Sequence, residues 1–446
     1  MKTKLIFVSL ALLASVSAFA ADGEEKGQKK EAVKEHLQNH FKFYGFIRNY
    51  FTFDSRESVS GTGNLFYYLP KDVAMNGTGN DAIDLNAQPS FRFLALTSRA
   101  GVDVSGYEVG NVSFGAKIEA DFYSGLNGST GTAAFRLRQA FATVTWKDLP
   151  MCCDQKASVA LKIGQAWHPM AADMPHVFSL ETGAPFGPFS RTPLVNMDAN
   201  LGKHWTITAA AIWQMQYTSN GPAGASADYM KYGCTPEIYA GVTYKTGGFL
   251  ARVGADMVSI KPRWQGANSE GVTVKVKDRI TTVSPFIYAQ YSYKSFSVKA
   301  KTVYGSAGDH FNLMSGYVKM KENNDGSWEY APLHSSSSWL SLSVGKKWQG
   351  VLFLGYVKNL GLGKEADHNI AAGDIYFCKN GFSNLNQMYR INPEVMYNFH
   401  KFTIGLEWQY TAVEYGDKNF NKKALAVDNR HWVGNHRVQM MVKYTF

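Results

Sequence analysis

Two pairs of basic residues stand two positions apart in this chain. Arg136 and Arg138 occur in the segment FRLRQAF, and Lys299 and Lys301 occur in SVKAKTVYG. In an extended strand, residues i and i+2 project from the same face, so each pair would stack two cationic groups. Such ladders repel unless acids, water or passing anions offset the charge, so the spacing predicts sites that favour anions.

The elements that would carry these bases are β-strands of period two. In KFTIGLEWQYT, for example, apolar residues alternate with polar ones, which places one set on each face of a strand. Sixteen segments have this character, at about 41–53, 91–105, 110–123, 134–147, 156–168, 191–201, 203–217, 235–246, 249–261, 279–293, 296–304, 336–347, 351–359, 386–399, 402–415 and 433–446. The acids Glu119 and Asp121 of KIEADF are candidates to offset the arginine pair.

The connections between these segments alternate strictly between short turns and long, polar, glycine-rich loops. Outer-membrane barrels have short periplasmic turns, long external loops and an even number of strands. We therefore predict an all-β transmembrane antiparallel β-barrel of 16 strands, with short periplasmic turns and long extracellular loops. An open edge in lipid would leave backbone groups unpaired, so Phe446 of the terminal RVQMMVKYTF should pair with the first strand.

The first forty residues differ from the rest of the chain. Residues 1–20 combine two lysines, an apolar run and a small-residue cleavage site, which predicts a secretory signal peptide. Residues 21–40 are densely charged and predict a solvated periplasmic segment, and the barrel is expected over 41–446. No second apolar run is long enough for a helical span. These features predict export to the bacterial outer membrane.

Charge and width together suggest a function. The chain has a formal net charge of +10, and strand alternation places about two inward bases for each inward acid. A 16-strand barrel is wide enough for an aqueous channel, so a positive lumen should prefer anions. The alternative is that these charges only solvate a wide pore. The predicted pore-lining, anion-binding residues are Arg48, Arg99, Lys117, Arg136, Arg138, Lys162, Lys299, Lys301 and Arg390, and the inward acids are Asp103, Glu119, Asp121, Asp256, Glu394 and Glu407.

The third long loop, 169–193, contains five prolines and several apolar residues. A stiff, partly apolar loop in a large barrel is a candidate for folding inward to narrow the channel. An outer lid or a subunit contact is the alternative. His168, His176 and Arg191 border or belong to this segment and are candidates to line the constriction.

The four cysteines suggest no metal centre. Cys152 and Cys153 are adjacent, and no CxxC spacing occurs. Cys234 and Cys378 could form a loop disulfide, although spacing alone does not establish connectivity. We predict neither a metal nor a cofactor.

Several segments resemble those of a known family. FRLRQAF, LKIGQAWHPM, KIEADFYSG and the terminal NHRVQMMVKYTF are similar to the corresponding segments of DcaP-like trimeric porins of Gram-negative outer membranes. The resemblance implies a 16-stranded homotrimeric barrel with an inward third loop and basic pore residues. By position it favours Arg136 and Arg138, and the region of Trp167 and His168, as functional.

The resulting prediction is a porin that gives passive diffusion to small hydrophilic solutes, with a preference for anions. Its expected partners are outer-membrane lipid, the barrel assembly machinery and small anionic solutes. The assembly machinery is expected because the terminal aromatic strand resembles the signal by which that machinery recognises its clients. Export and inward-facing charge argue against nucleic-acid binding. An outer-membrane barrel enzyme of lipase or protease type is one alternative, although neither GxSxG nor HExxH occurs. An adhesin-like barrel is the other.

Overall fold

A computed structural model describes residues 40–61, 66–95, 97–122, 126–127, 132–152, 155–179 and 182–446. The predicted signal peptide, and the predicted charged segment up to residue 39, lie outside these ranges. Within the described ranges, no helix is both long enough and apolar enough to span a membrane.

Sixteen antiparallel strands pair in chain order and form one closed barrel, as predicted. The second strand is built from two segments separated by a short break. The strands are β1 (Phe41–Asp54), β2 (Ser90–Leu94 and Arg99–Val109), β3 (Val112–Asp121), β4 (Arg136–Pro150), β5 (Lys156–Trp167), β6 (Arg191–Leu201), β7 (Trp205–Ile212), β8 (Glu237–Thr246), β9 (Phe249–Ile260), β10 (Ile280–Tyr293), β11 (Phe296–Ser306), β12 (Trp328–Gly345), β13 (Trp348–Leu362), β14 (Leu385–Phe399), β15 (Phe402–Tyr415) and β16 (His431–Thr445).

The last strand closes the barrel onto the first. β16 pairs with β1 from Thr445 opposite Phe46 to Arg437 opposite Asp54. The backbone N–H of Phe446 donates to the carbonyl oxygen of Gly45 at 3.1 Å. The predicted closing strand is therefore confirmed, and every wall strand has a hydrogen-bonded neighbour on both sides.

Seven short turns lie at one end of the barrel and eight long loops lie at the other. The long loops are L1 (55–89), L2 (122–135), L3 (168–190), L4 (213–236), L5 (261–279), L6 (307–327), L7 (363–384) and L8 (416–430). Their short strands are Ser58–Gly61, Phe66–Pro70, Met75–Asn76, Ile83–Asp84, Leu126–Asn127, Thr132–Ala133, Gln265–Ala267, Thr273–Lys275, Gly316–Glu322 and Ile375–Phe377. Their helices are α1 (Asp228–Gly233) and the 3-10 turns Gly79–Asp81, Pro169–Ala171, Asp309–Phe311 and Ala372–Asp374.

The outer face of the wall is apolar and the inner face is polar. Along β15, Ile404, Leu406 and Trp408 are exposed, whereas the alternating Glu407 and Gln409 are buried inside the barrel. This alternation follows from the two-residue period of a strand, which sends successive side chains to opposite faces.

The hydrophobic core lies inside the barrel, in the half nearest the long loops. Phe66 and Tyr68 of L1, Phe186 of L3, and Phe311 and Met314 of L6 are buried in one cluster with wall residues. The sequence led us to expect a wet lumen throughout. The structure differs because loop segments bring their own apolar side chains inward, where they bury surface against each other.

Two wall glycines provide room for L3. A side chain at Gly355 would place its Cβ 2.4 Å from the Phe186 ring, and one at Gly405 would lie 2.9 Å from the Phe178 ring. Met441, an apolar residue on the inward face of β16, is buried and packs with Phe178. The wall sequence is therefore fitted to an inward L3.

A candidate anion site in the barrel lumen

L3 lies inside the barrel and is held at several points. The hydroxyl of Tyr50 on β1 donates to the Phe178 carbonyl at 2.5 Å. Across the lumen, the His176 N–H donates to Oγ of Ser341 on β12 at 3.0 Å. L3 therefore crosses the interior from β1 to β12.

A cavity of about 350 Å³ adjoins L3 and is lined by residues of both the loop and the wall. Gln349, Met396 and Lys443 lie near the short-turn ends of their strands, so the cavity extends from L3 toward that end. Its full lining is Arg48, Phe66, Thr97, Arg99, Asp121, Arg136, Arg138, Trp167, Pro175, His176, Val177, Phe178, Ser179, Thr182, Phe189, Gln349, Met396, Met441 and Lys443.

The predicted arginine pair faces this cavity and is partly offset by two acids. Arg136 binds Asp121 in a bidentate arrangement, with N···O distances of 3.0 and 2.9 Å. Arg138 donates to Oε1 of Glu119 and to Oδ2 of Asp121, each at 2.8 Å. Arg99 approaches Glu119 at 3.5 Å. The prediction that Glu119 and Asp121 offset the ladder is confirmed.

A β-bulge in β4 sharpens this geometry. The pairing of β4 with β3 shifts between Leu137 and Gln139, so Arg138 is the extra residue. Gln139 then lies opposite Glu119 and donates to it at 3.3 Å, next to the Arg138 contact. A bulge lets two consecutive side chains serve one face of a sheet. Both residues consequently reach the same carboxylate.

Three further bases near the cavity form no ion pair with any described carboxylate. Arg48 donates its Nε to the Thr97 hydroxyl at 3.1 Å. Arg191 donates its Nε to Gln216 at 3.2 Å, and its buried Nη1 has no hydrogen-bond partner. Lys443 contributes the third positive charge. We call Arg48, Arg99, Arg136, Arg138, Arg191 and Lys443 the cavity bases; all but Arg191 belong to the lining itself. Among the described residues, only Glu119 and Asp121 oppose them.

Two of the predicted pore residues lie on the same side of the barrel but do not line the cavity. Lys117 pairs with Asp103 at 2.7 Å and donates to the Tyr44 hydroxyl at 3.1 Å. Lys162 places its Nζ 5.2 Å from the centre of the Phe141 ring. Both face the interior next to the cavity bases.

The remaining predicted bases contact loops. Lys301 donates to the Met170 carbonyl, and Lys299 donates to that of Met174 at 3.1 Å. Arg390 donates to the carbonyls of Ala184 in L3 at 3.2 Å and Tyr68 in L1 at 2.7 Å. Lys301 and Arg390 are each only 2% exposed. We call Lys299, Lys301 and Arg390 the anchoring bases, because their donors hold inward loops.

The two predicted histidines have different environments. His176 lines the cavity, and burial together with nearby Lys299 lowers its pKa to about 4. It is therefore neutral at physiological pH. His168 is fully buried at the start of L3, away from the cavity, where its Nε2 lies 2.8 Å from Glu237.

Sequence reasoning missed the first loop and the lining residues Thr97, Gln349 and Met396. The run FYYLP at 66–70, inside a loop expected to be polar, was the available signal for L1. Gln349 and Met396 gave no signal that distinguished them from other wall residues. The possible disulfide between Cys234 and Cys378 does not form. Cys234 is exposed and Cys378 is buried, and both are free. Cys153 lies outside the described residues.

Comparison with solved structures identifies the fold. The outer membrane channel DcaP of Acinetobacter baumannii is similar with a TM-score of 0.63 and 14% identity, over 91% of this chain and 97% of that chain. An anion-selective porin from Comamonas acidovorans gives 0.52 at 10% identity, over 91% and 99%. OmpF of Salmonella typhi, in complex with daunomycin, gives 0.50 at 12%, over 92% and 98%.

No protein-family model matches this sequence. No curated protein matches it either. The chain nevertheless has the fold of the DcaP channel and of outer-membrane porins, and the predicted resemblance is confirmed at the level of the fold.

Proposed function

We propose that this chain, which folds as an outer-membrane porin, is a channel for passive diffusion of small hydrophilic anions. The observation that carries the proposal is the charge of the cavity beside L3, where six cavity bases meet two carboxylates. An anion preference agrees with the basic residues that the DcaP-like resemblance implies.

The physical basis is the potential of these unmatched charges. One unit charge at about 7 Å in water contributes roughly 0.6 kcal/mol, close to thermal energy, and it contributes more beside a low-dielectric wall. Four unmatched charges therefore raise the local concentration of small anions and lower that of cations. The guanidinium group of Arg48 lines the cavity, forms no ion pair with a described carboxylate and can donate to a passing anion.

L3 is proposed to be the constriction. It crosses the lumen from Tyr50 to Ser341, and its residues 175–179 form one side of the basic cavity. A solute that moves along the barrel axis must pass between this loop and the cavity bases. Size selection would then come from the loop, and charge selection from the wall.

Location and assembly follow from the same proposal. The apolar outer face would contact outer-membrane lipid, with the short turns toward the periplasm and the long loops outside. Insertion would depend on the barrel assembly machinery after removal of a signal peptide at residues 1–20. A homotrimer is proposed from the DcaP-like sequence resemblance, and native gel electrophoresis of the detergent-solubilised protein tests it.

The proposal is tested by single-channel recording in planar bilayers across a salt gradient. We expect ohmic steps and a reversal potential of the sign for anion preference, which Arg136→Ala with Arg138→Ala should move toward cations. A folded, heat-modifiable barrel that gives no conductance would contradict the channel proposal. It would leave the lipase or protease type of barrel enzyme and the adhesin-like barrel as alternatives. No observation on the described residues favours either of them.

A further inference from the structure

Four ionisable side chains meet at a buried point of the wall, outside the basic cavity. Glu237 is the first residue of β8 and Asp256 lies on β9. His168 begins L3, and His310 lies in L6. All four are at most 2% exposed. Two wall strands and two inward loops therefore converge on one cluster.

The cluster contains polar atoms without hydrogen bonds. Oε2 of Glu237, Oδ1 of Asp256 and both ring nitrogens of His310 are buried and have no hydrogen-bond partner. Nε2 of His310 lies 3.5 Å from Oε1 of Glu237 and 3.6 Å from Oδ2 of Asp256. These separations exceed those of good hydrogen bonds, so His310 contacts both carboxylates without a hydrogen bond to either, and the other oxygen of each carboxylate is unpartnered.

We propose that Glu237, Asp256 and His310 bind a divalent transition-metal ion of the zinc class. Ligand atoms around a tetrahedral Zn²⁺, each about 2.0 to 2.1 Å from the metal, lie roughly 3.3 Å apart. The two separations from His310, 3.5 and 3.6 Å, need only a small contraction to meet that value, and carboxylate oxygens of Glu237 and Asp256 lie within 4.8 Å of each other. Imidazole nitrogen and carboxylate oxygen are also ordinary ligands of such ions.

His168 acts as a positioning residue in this site. Its Nδ1 accepts the Met170 N–H at 3.0 Å, so its single ring proton lies on Nε2. That proton is donated to Oε1 of Glu237 at 2.8 Å. A ring held in this tautomer orients the carboxylate rather than binding the metal itself, as outer partners of metal sites do.

Electrostatics favours a bound cation. Two carboxylates buried together at this depth repel each other, and a charge removed from water needs a counter-charge. A protonated His310, 3.5 to 3.6 Å from both, would neutralise only one of them. A divalent ion neutralises both carboxylates at once. The ion would also connect L6 to the wall, because His310 belongs to L6. Glu237 in turn accepts a hydrogen bond from His168, the first residue of L3. The metal would therefore fix the two inward loops relative to β8 and β9.

The test measures metal in the full-length folded barrel. The protein is stripped with a chelator, refolded in detergent with Zn²⁺ or Co²⁺ to give the ion access, and desalted. Metal content and the visible spectrum of bound Co²⁺ are then measured. We expect one equivalent per chain in the wild type, and a loss of at least about tenfold in affinity for His310→Ala and Glu237→Gln. For His168→Ala, we expect weakening of about ten- to a hundredfold.

His334→Ala is the control, because His334 is a histidine of the wall strand β12 and lies outside the cluster. It should keep one equivalent of metal. Heat modifiability on gels reports folding, and if His310→Ala does not fold, the isosteric Glu237→Gln variant decides. A refolded wild type without stoichiometric metal, or folded variants that keep the wild-type Co²⁺ spectrum, would overturn the proposal.

Discussion

The cavity bases and the anchoring bases occupy the same barrel interior, yet their surroundings differ. On β1 to β6 and β16, the cavity bases outnumber their acids, and all but Arg191 border open space. On β11 and β14, Lys299, Lys301 and Arg390 each donate to at least one loop carbonyl. Strand alternation gives both groups the same orientation. Whether an inward-facing base attracts anions or holds a loop therefore depends on whether a loop carbonyl lies within hydrogen-bond distance of it.

The largest effect is expected when two anchoring bases lose the amino groups that donate to the L3 carbonyls. In Lys299→Met with Lys301→Met, the carbonyls of Met170 and Met174 lose their charged donors, which costs about 2 to 4 kcal/mol of local stability. We expect L3 to loosen and single-channel conductance to rise severalfold, with a lower temperature of heat modification. Exposed Lys203, in a short turn, provides the control variant Lys203→Met. Unchanged conductance in the double variant would show that these lysines do not hold the loop.

Removal of a cavity base should have the opposite effect, because it should change ion selectivity and leave conductance and stability nearly unchanged. Arg48 has no carboxylate partner among the described residues, so Arg48→Gln removes charge without leaving an acid unpaired. We expect the anion-to-cation permeability ratio to fall about two- to threefold at low salt, with conductance and stability close to wild type. The reversal potential in a salt gradient measures the ratio. A ratio equal to that of the wild type would remove Arg48 from the selectivity site.

Neutralising an acid should shift selectivity the other way. Asp121→Asn leaves Arg136 without its bidentate carboxylate and adds one unmatched charge to the cavity. The expected result is an anion preference about twofold stronger than wild type, together with a loss of about 1 to 3 kcal/mol in unfolding free energy. Reversal potentials and denaturant unfolding check the two effects. A shift toward cations would mean that Asp121 does not act through its charge.

The smallest expected effect is that of pH on His176. A histidine of ordinary pKa would gain charge below about pH 6.5 and strengthen anion preference as the pH falls. Because burial lowers the pKa of His176 to about 4, it stays neutral down to about pH 5. Reversal potentials should therefore be equal at about pH 8 and about pH 5. A pH-dependent shift in the wild type that His176→Gln abolishes would contradict this placement.

The wall of the barrel was predictable from sequence because its physics is local. Period-two alternation and the strict order of short and long connections were enough to give sixteen strands and the inward bases. The bulge at Arg138 left no signal of its own, because one extra residue resembles noise in a periodic pattern. The signal that predicted the site was the two-residue spacing of Arg136 and Arg138 on β4.

The interior was less predictable because its contacts join distant segments. Gly355 is understood only once Phe186 of L3 is seen to pack against it. Inward glycines within a strand can mark such close approaches, and that signal was available but unused. The cluster of Glu237 and His310 has no sequence spacing that predicts it. Barrel topology alone brings L6 to β8.

The most direct test of the central claim is a paired recording of Arg48→Gln with Lys443→Gln and of Lys299→Met with Lys301→Met, under one salt gradient. Each variant removes two lumenal charges, and both conductance and reversal potential are measured. We predict that the first variant moves the reversal potential toward cations at near wild-type conductance. The second should raise conductance with a smaller shift in potential. Identical changes in the two variants would contradict the division between cavity bases and anchoring bases.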